Sequence, residues 1–312
     1  MIKKTAGVYL SAIVAMVFWA FSFIWYKEVL VAYKPISLVL MRLIISSVLL
    51  IAVTASLGRL NRIKRKDIKT FILMSFLSPF LYFLGESYGV SYMPSTVAAV
   101  IIATIPLFSP IGAYYYLNER ISMMNFLGIV VSVVGVGLVV FHKGFNLSDV
   151  HPIGIAFMLL AVVSALGYSL IVKKLSDRYN VFSIVAYQNL IGVFFFLPLF
   201  FLLDFKQFIQ VVPTWDVIKP LLSLGVFAST FAFIFFTYAI KNLGISKANI
   251  FTNAIPVLTA ILAFFILDEE ITPVKMAGIL VVVLGLFLSQ LRRGMFKGLF
   301  RKRDTEDFLL RN

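Results

Sequence analysis

PLFSPIGAYYYLNERISMMNFLGIVVSVVG, residues 106–135, recurs 150 positions later as PVLTAILAFFILDEEITPVKMAGILVVVLG, residues 256–285. The shared positions are Pro106 and Pro256, Glu119 and Glu269, Gly128 and Gly278, and Gly135 and Gly285. Nearer the start of each copy, a shift of 146 aligns Lys27 with Lys173, Ser37 with Ser183, and Arg42 with Gln188. The chain therefore contains two copies of one unit, which we place at 7–141 and 152–291.

The composition places most of this chain in lipid. Of its 312 residues, 61% are hydrophobic and 13% are charged, whereas soluble domains are about 45–50% apolar and about 25% charged. Cysteine is absent and the two histidines, His142 and His151, lie in one polar connection. We therefore expect no disulfide, no metal site and no cofactor.

Apolar runs long enough to cross a membrane alternate with short polar connections along the chain. The predicted spans are 8–27, 36–56, 70–92, 95–116, 123–141, 153–172, 182–203, 219–240, 247–267 and 274–291. The predicted fold is an all-α polytopic membrane protein with ten transmembrane helices, followed by a basic tail at 292–312.

The distribution of basic residues predicts the orientation. With ten spans, most of the 28 Lys and Arg residues fall on the side that holds both termini. Lys27, Lys34, Lys143, Lys206, Lys219 and Lys275 fall on the other side. Because cytoplasmic loops of membrane proteins are enriched in Lys and Arg, both termini are predicted to be cytoplasmic. The net charge of +14 thus reflects topology, and we expect no nucleic-acid partner.

Each copy contains five predicted spans, an odd number, so the second copy must enter the membrane in the opposite direction. Such inverted repeats are typical of carriers that work by alternating access, with the substrate site near the midplane between the halves. The repeat therefore predicts a secondary transporter with a small-molecule substrate.

The paired stretches Pro106 to Ser122 and Pro256 to Thr272, each followed by a glycine-rich helix, resemble the EamA family of the drug/metabolite transporter superfamily. Trp19 and Lys27 in the first span also fit, and the resemblance covers roughly residues 7–291. It implies a ten-helix protein of the cell inner membrane with a central cavity. It also implies export of amino acids or related metabolites, without indicating one solute.

Two charged residues, Arg42 and Glu86, lie deep within predicted spans and not at their ends, where charge is costly and usually functional. Arg42 is seven residues from Pro35, and Glu86 is eight residues from Pro94. At 1.5 Å per residue both lie roughly 10–12 Å below the same surface, so their side chains can meet. Glu86 is predicted to bind a substrate ammonium or a coupling proton, and Arg42 a carboxylate. The alternatives are a purely structural pair, or an Arg42 that reaches outward to the headgroups.

Proline and polar side chains in the remaining spans complete the predicted site. Pro106 and Pro256 fall in mid-span and are predicted to bend their helices and free backbone carbonyls; the alternative is a kink that serves packing alone. Asn253, just before Pro256, is the preferred polar ligand. Gln188, Tyr82 and Trp19 are predicted to line the cavity, although hydrogen bonding between helices accounts equally well for Gln188.

Enzyme motifs are missing from the sequence, and we expect no catalytic residues. It contains no glycine-rich phosphate loop with its lysine and no Gly-x-Ser-x-Gly elbow. Glu119 and Glu269 lie where a carboxylate can accept hydrogen bonds from the next helix, so a structural role is favoured for both. Two other functions remain open: an exchanger or importer of other polar solutes, including phosphorylated ones, and a lipid-handling flippase.

Overall fold

The computed structural model describes residues 2–93, 95–117, 122–140, 151–267 and 272–290. Within these ranges the regular structure is entirely helical. Glu119, Glu269 and the basic tail at 292–312 lie outside the described residues.

The first half contains seven α-helices and two other helical segments among the described residues. The α-helices are α1 (Ile2–Leu30), α2 (Pro35–Ser56), α3 (Ile68–Ser75), α4 (Tyr82–Ser91), α5 (Ser95–Ile102), α6 (Ile105–Leu117) and α7 (Met123–Val140). A 3-10 turn, Arg65–Asp67, precedes α3, and a π-helical segment, Phe76–Leu81, joins α3 to α4.

The second half follows the same order. Its α-helices are α8 (Pro152–Ser176), α9 (Val181–Leu199), α10 (Phe205–Phe208), α11 (Trp215–Ser223), α12 (Ala232–Leu243), α13 (Ile245–Ile250), α14 (Ala254–Leu267) and α15 (Pro273–Gln290). π-Helical segments at Phe200–Asp204 and Leu224–Phe231 and a 3-10 turn at Phe251–Asn253 connect several of them.

Local sequence accounts for several helix ends. Pro35 and Pro152 occupy the first turns of α2 and α8, where a missing backbone N–H costs nothing. Asn180 caps α9, because its side-chain oxygen accepts a hydrogen bond of 2.7 Å from the Ser183 N–H. Gly244 separates α12 from α13 with φ = 84°, a conformation that glycine adopts without steric cost.

By length and composition, seven helical segments of the described ranges can cross a membrane. They are Ala6–Leu30, Pro35–Ser56, Arg65–Ser91, Pro152–Ser176, Val181–Phe208, Trp215–Leu243 and Ile245–Ile266. Two shorter apolar helices, Met123–Leu138 and Met276–Ser289, lie among the same residues. The all-helical polytopic architecture is thus confirmed, and the count of ten spans stays a prediction.

Two predicted spans differ in detail from the structure. The span at 70–92 is interrupted at Ser78, whose backbone is extended (φ −145°, ψ 123°) just before Pro79. The predicted span at 182–203 lies within a longer helical segment, Val181–Phe208, which continues past Asp204. Asp204 is buried there and accepts hydrogen bonds from the backbone N–H of Ser37 (2.9 Å) and from its hydroxyl (3.2 Å). The distant Ser37 thus supplies the partners that solvent would otherwise provide.

The last helices of the two halves, α7 and α15, pack through glycines and run antiparallel. A Cβ placed on Gly128 would lie 2.7 Å from the carbonyl oxygen of Gly285, and one on Gly135 would lie 2.9 Å from that of Gly278. As α7 advances from 128 to 135, its partner position on α15 recedes from 285 to 278. The two contacts are also equivalent under the repeat: Gly128 corresponds to Gly278 and Gly285 to Gly135, so the first contact maps onto the second.

The same exchange relates other helix contacts. The first helix of each half packs against the third span of the other half, since α1 contacts α12 and α8 contacts α4. The second helices, α2 and α9, pack against each other across the centre. Each of them also contacts the π-helical segment of the other half, α2 at Leu224–Phe231 and α9 at Phe76–Leu81. The halves are therefore interleaved, and the residues of any central site come from both.

Candidate functional site

Arg42 of α2 and Glu86 of α4 meet in the interior. Their exposed fractions are 1% and 5%, and Nη1 of Arg42 lies 3.8 Å from Oε2 of Glu86. Such a distance is long for a charge-assisted hydrogen bond, which is about 2.7–2.9 Å. The pair is therefore coupled electrostatically but is not a tight bidentate bridge.

Hydroxyl groups and rings complete the surroundings of Arg42. Its Nη1 donates to the Tyr26 hydroxyl oxygen at 2.6 Å and its Nε donates to Ser229 Oγ at 2.7 Å. The guanidinium carbon lies 4.2 Å from the ring centre of Phe83, a favourable cation–π distance. Arg42 is thus held by α1, α4 and the segment Leu224–Phe231, and it does not reach outward to the surface.

Tyr82 connects the charged pair to a cavity. Its hydroxyl donates to Oε1 of Glu86 at 3.0 Å, and the residue lines a central cavity together with Trp19 and Tyr168. This cavity contains about 450 Å³ of atom-free space. It is narrow, because most of that space lies close to the atoms of the wall.

Five of the twelve described residues that line the cavity are aromatic, and both halves contribute to the wall. Trp19 forms edge contacts with Phe233 and Phe236, with ring centres 5.3 and 4.9 Å apart. Its indole N–H donates to the carbonyl oxygen of Ala228 at 3.2 Å, within the π-helical segment. Irregular backbone turns thus provide the acceptor that positions this ring.

Gln188 lies behind the wall and does not line the cavity. It is fully buried, and its Oε1 accepts a 2.8 Å hydrogen bond from the Tyr168 hydroxyl. Tyr168 itself faces the cavity. Among the described residues the Gln188 amide nitrogen has no partner. Its contribution to the site is therefore to orient Tyr168.

The two predicted bending prolines follow interruptions of their helices. Pro106 is the second residue of α6, after a break between Ile102 and Ile105. Pro256 lies just beyond the 3-10 turn Phe251–Asn253. The proline rings do not line the cavity. The residues near these interruptions that line it are Ile102, Ile105, Asn249, Thr252 and Ile255.

Asn253 occupies a different position from the one expected of a ligand. It is buried away from the cavity, and its side-chain N–H₂ donates to the Ser132 hydroxyl of α7. Asn249, four residues earlier, lines the cavity, and its amide nitrogen has no partner among the described residues. The structure thus brings Arg42, Glu86, Tyr82 and Trp19 together and leaves Asn253 as a contact between helices.

Several members of the site were missed by sequence reasoning. Tyr26 and Ser229, which bond Arg42, are two such residues, and Phe233 and Phe236 are two others. A tyrosine near a span end and phenylalanines within a span are also typical of lipid-facing surface. The helical period alone therefore offered no signal that separates them from their neighbours.

Comparisons with known proteins agree with this architecture. The sequence profile of the EamA-like transporter family matches residues 6–141 and again residues 152–291. An uncharacterized transporter of Bacillus subtilis, YetK, is 28% identical over 94% of this chain and 89% of its own length. An uncharacterized transporter of Archaeoglobus fulgidus is 27% identical over 88% of this chain and 96% of its own length.

A solved crystal structure shares the fold, with a TM-score of 0.77 at 15% sequence identity. The match covers 92% of this chain and 98% of the other. The family profile matches both halves of the chain, and the structure is a polytopic helical fold whose central cavity is lined by both halves. These observations support the same assignment. The chain is a multi-pass membrane transporter rather than an enzyme, and it belongs to the EamA-like transporter family.

Proposed function

We propose that this protein is a secondary transporter that exports small metabolites, amino acids or related compounds, by alternating access. In this proposal ten transmembrane helices form two inverted five-helix repeats, 7–141 and 152–291, and both termini face the cytoplasm of a cell inner membrane. The antiparallel packing of α7 and α15 and the exchangeable helix contacts support the inverted arrangement.

The observation that carries the proposal is the loose Arg42–Glu86 pair beside the cavity. A carboxylate and a guanidinium separated by 3.8 Å match the ammonium and carboxylate of an amino acid, which can compete for the same partners. Glu86 binds the substrate ammonium or exchanges a proton, and Arg42 binds the substrate carboxylate. Because buried charge is costly, a pair that exists only for packing is less favoured here.

The cavity wall suggests the kind of side chain that accompanies those charged groups. Trp19, Tyr82, Phe233 and Phe236 present rings, while Asn249 supplies an amide nitrogen that has no partner in the described part of the chain. Apolar walls with a few placed polar groups are usual for small-molecule sites. The narrowness of the cavity is consistent with a conformation in which the site is closed, and the halves then separate on one side at a time.

Phosphorylated solutes fit this site less well. They require several basic groups, and within the described lining of the cavity there is no lysine or arginine. Arg42, beside the cavity, already faces Glu86. An exchanger of phosphorylated compounds is therefore the weaker alternative, as is a flippase.

Reconstitution tests the proposal. Purified protein in liposomes is loaded with a radiolabelled panel of amino acids and amines, and efflux is measured with and without a pH gradient. We expect efflux of at least one solute above protein-free liposomes, its loss in Glu86→Gln, and normal efflux in Glu28→Gln, which changes an exposed carboxylate. Wild-type flux and pH dependence in Glu86→Gln would exclude the coupling role.

Single-cysteine labelling tests the topology, since the native chain lacks cysteine. Ser148→Cys should react with a membrane-impermeant maleimide from the outside of cells, and Thr305→Cys should react only after the membrane is opened. Reaction of both from the same side would contradict an odd number of spans between them.

A further inference from the structure

A groove at one end of helices α3, α6 and α8 carries two lysines at its mouth. Lys69 lies in the first turn of α3 and Lys174 in the last turn of α8. Both are exposed, and within the described ranges neither forms an ion pair or a side-chain hydrogen bond. Two like charges at one mouth repel each other, so this place favours an anion between them.

The floor of the groove is apolar. Leu73 and Leu170, each one helical turn deeper than a lysine, line it together with Ile171, and α6 contributes Tyr116 and Leu117. The groove contains about 790 Å³ of atom-free space. Deeper in the protein the helices close together, since a Cβ on Gly167 would lie 2.9 Å from Cδ1 of Leu77. The groove is therefore a pocket with a cationic mouth and an apolar wall.

The repeat supplies an internal comparison. The 150-residue shift aligns Lys69 with Lys219, and the 146-residue shift aligns Lys174 with Glu28. Lys219 and Glu28 line the corresponding groove at the opposite end of the molecule, where they interact electrostatically. The second groove thus contains one lysine and two carboxylates, since Asp216 also lines it, whereas the described lining of the first contains two lysines and no carboxylate. The two grooves thus occupy equivalent places in the repeat, but only the first has a purely cationic set of described charged residues.

We propose that the groove between Lys69 and Lys174 binds the phosphate of an anionic phospholipid. The proposed orientation puts the groove at the cytoplasmic surface, where each Lys or Arg near anionic lipid strengthens attraction. The occupant is a lipid rather than free phosphate because Leu73 and Tyr116 are exposed and continue the apolar floor toward the lipid-facing surface. An acyl chain covers that surface while the phosphate lies between the ammonium groups.

Lipid binding to the purified full-length protein tests the proposal. Delipidated protein in a zwitterionic detergent is titrated with phosphatidylglycerol or phosphatidylcholine, and bound lipid is measured by native mass spectrometry. The variant is Lys69→Gln with Lys174→Gln, and the matched control is Lys219→Gln in the second groove. Thermal unfolding of each protein is measured in parallel, so that lost binding is not confused with lost folding.

We expect phosphatidylglycerol affinity to fall about fivefold for each lysine removed and about 30-fold for both. Phosphatidylcholine binding should be unchanged, and Lys219→Gln should bind like the wild type. Replacing both lysines with arginine keeps the positive charges and should keep the affinity. This variant therefore tests the role of charge even if the glutamine variant is less stable. Equal phosphatidylglycerol binding by the double glutamine variant and the wild type would overturn the proposal. Complete displacement of the lipid by millimolar inorganic phosphate would instead identify a free-phosphate site and overturn the choice of a lipid.

Discussion

Glu86→Gln separates the structural role of the buried pair from its transport role. Glutamine keeps the volume of glutamate and can still accept the hydrogen bond from the Tyr82 hydroxyl. The substitution therefore removes charge with little change in packing. What remains is the guanidinium of Arg42, 1% exposed, with hydroxyl groups and rings but no carboxylate among its contacts in the described residues.

The expected cost follows from the distance and the burial. Two unit charges 3.8 Å apart interact by about 4 kcal/mol at an effective dielectric constant of about 20. That value agrees with the roughly 3–5 kcal/mol lost when one partner of a buried pair is removed. We therefore expect Glu86→Gln to lower the free energy of unfolding by about 4 kcal/mol.

A double variant provides the control. Arg42→Met with Glu86→Gln removes both charges, and loses the hydrogen bonds from Arg42 to Tyr26 and Ser229, which contribute about 1 kcal/mol each. Its net cost should be about 2 kcal/mol, so it should be more stable than Glu86→Gln alone. Both variants should fail to transport.

Thermal and denaturant unfolding in detergent, with efflux from liposomes, measure both quantities. A single variant as stable as the wild type would show that the two charges are not coupled. A double variant less stable than the single one would show that Arg42 is stabilised mainly by its hydroxyl partners. Transport by the double variant would show that the pair is only structural.

Three further substitutions test other parts of the architecture. Gly135→Leu should lower unfolding stability by at least about 1–3 kcal/mol through overpacking against Gly278, while Gly7→Ala, with nothing within 4 Å of its Cβ, should unfold like the wild type. Asp67→Asn removes the charge of a buried carboxylate that faces half-exposed Arg178 at 2.9 Å and accepts a 2.8 Å hydrogen bond from the Tyr179 hydroxyl; it should cost about 1.5–3 kcal/mol, most of which should persist in roughly 1 M salt because buried groups are screened little. Trp19→Phe loses the hydrogen bond to Ala228 and should raise the KM for the transported solute by about tenfold or less, while the free energy of unfolding falls by only about 1 kcal/mol.

The charged part of the site was predictable because it depends on one dimension, depth. A helix rises by a fixed length per residue, so counting from Pro35 and Pro94 placed Arg42 and Glu86 at the same level. The cost of isolated charge in lipid then favoured a partner at that level, although an Arg42 that reaches outward stayed open. The structure brings the two side chains to 3.8 Å, which the equal depths allowed, while their roles in transport stay predictions.

The faces of the interrupted helices were not predictable, because helical periodicity assumes an unbroken helix. The 3-10 turn Phe251–Asn253 advances three residues per turn instead of 3.6, which rotates the faces that follow. As a result Asn249 and Thr252 share the cavity side, while Asn253 contacts Ser132 of α7. The sequence contains no local signal for this turn, since Phe, Thr and Asn also occur within α-helices.

Long-range contacts account for the remaining differences. Asp204 follows an apolar run, and on local grounds such a residue predicts the end of a span. It remains within a continuous helical segment because the backbone N–H and hydroxyl of Ser37, on α2 of the other half, meet its carboxylate. An acceptor that satisfies free N–H groups at a helix N-terminus is favourable wherever it lies in the sequence. Only the packing of α2 on α9 brings these two residues together.

The scaffold is nearly symmetric, but the charges of the site belong to one half. The repeat counterparts of Arg42 and Glu86 are Gln188 and Phe236; Gln188 orients Tyr168, and Phe236 lines the cavity beside Trp19. Two equivalent halves can exchange conformations at similar free energy, which favours opening on either side. A charged group confined to one half instead fixes the orientation of a bound solute. In the proposed mechanism symmetry therefore serves the motion and asymmetry serves recognition, and the proposed amino-acid substrate, with both charges and an apolar side chain, matches that division.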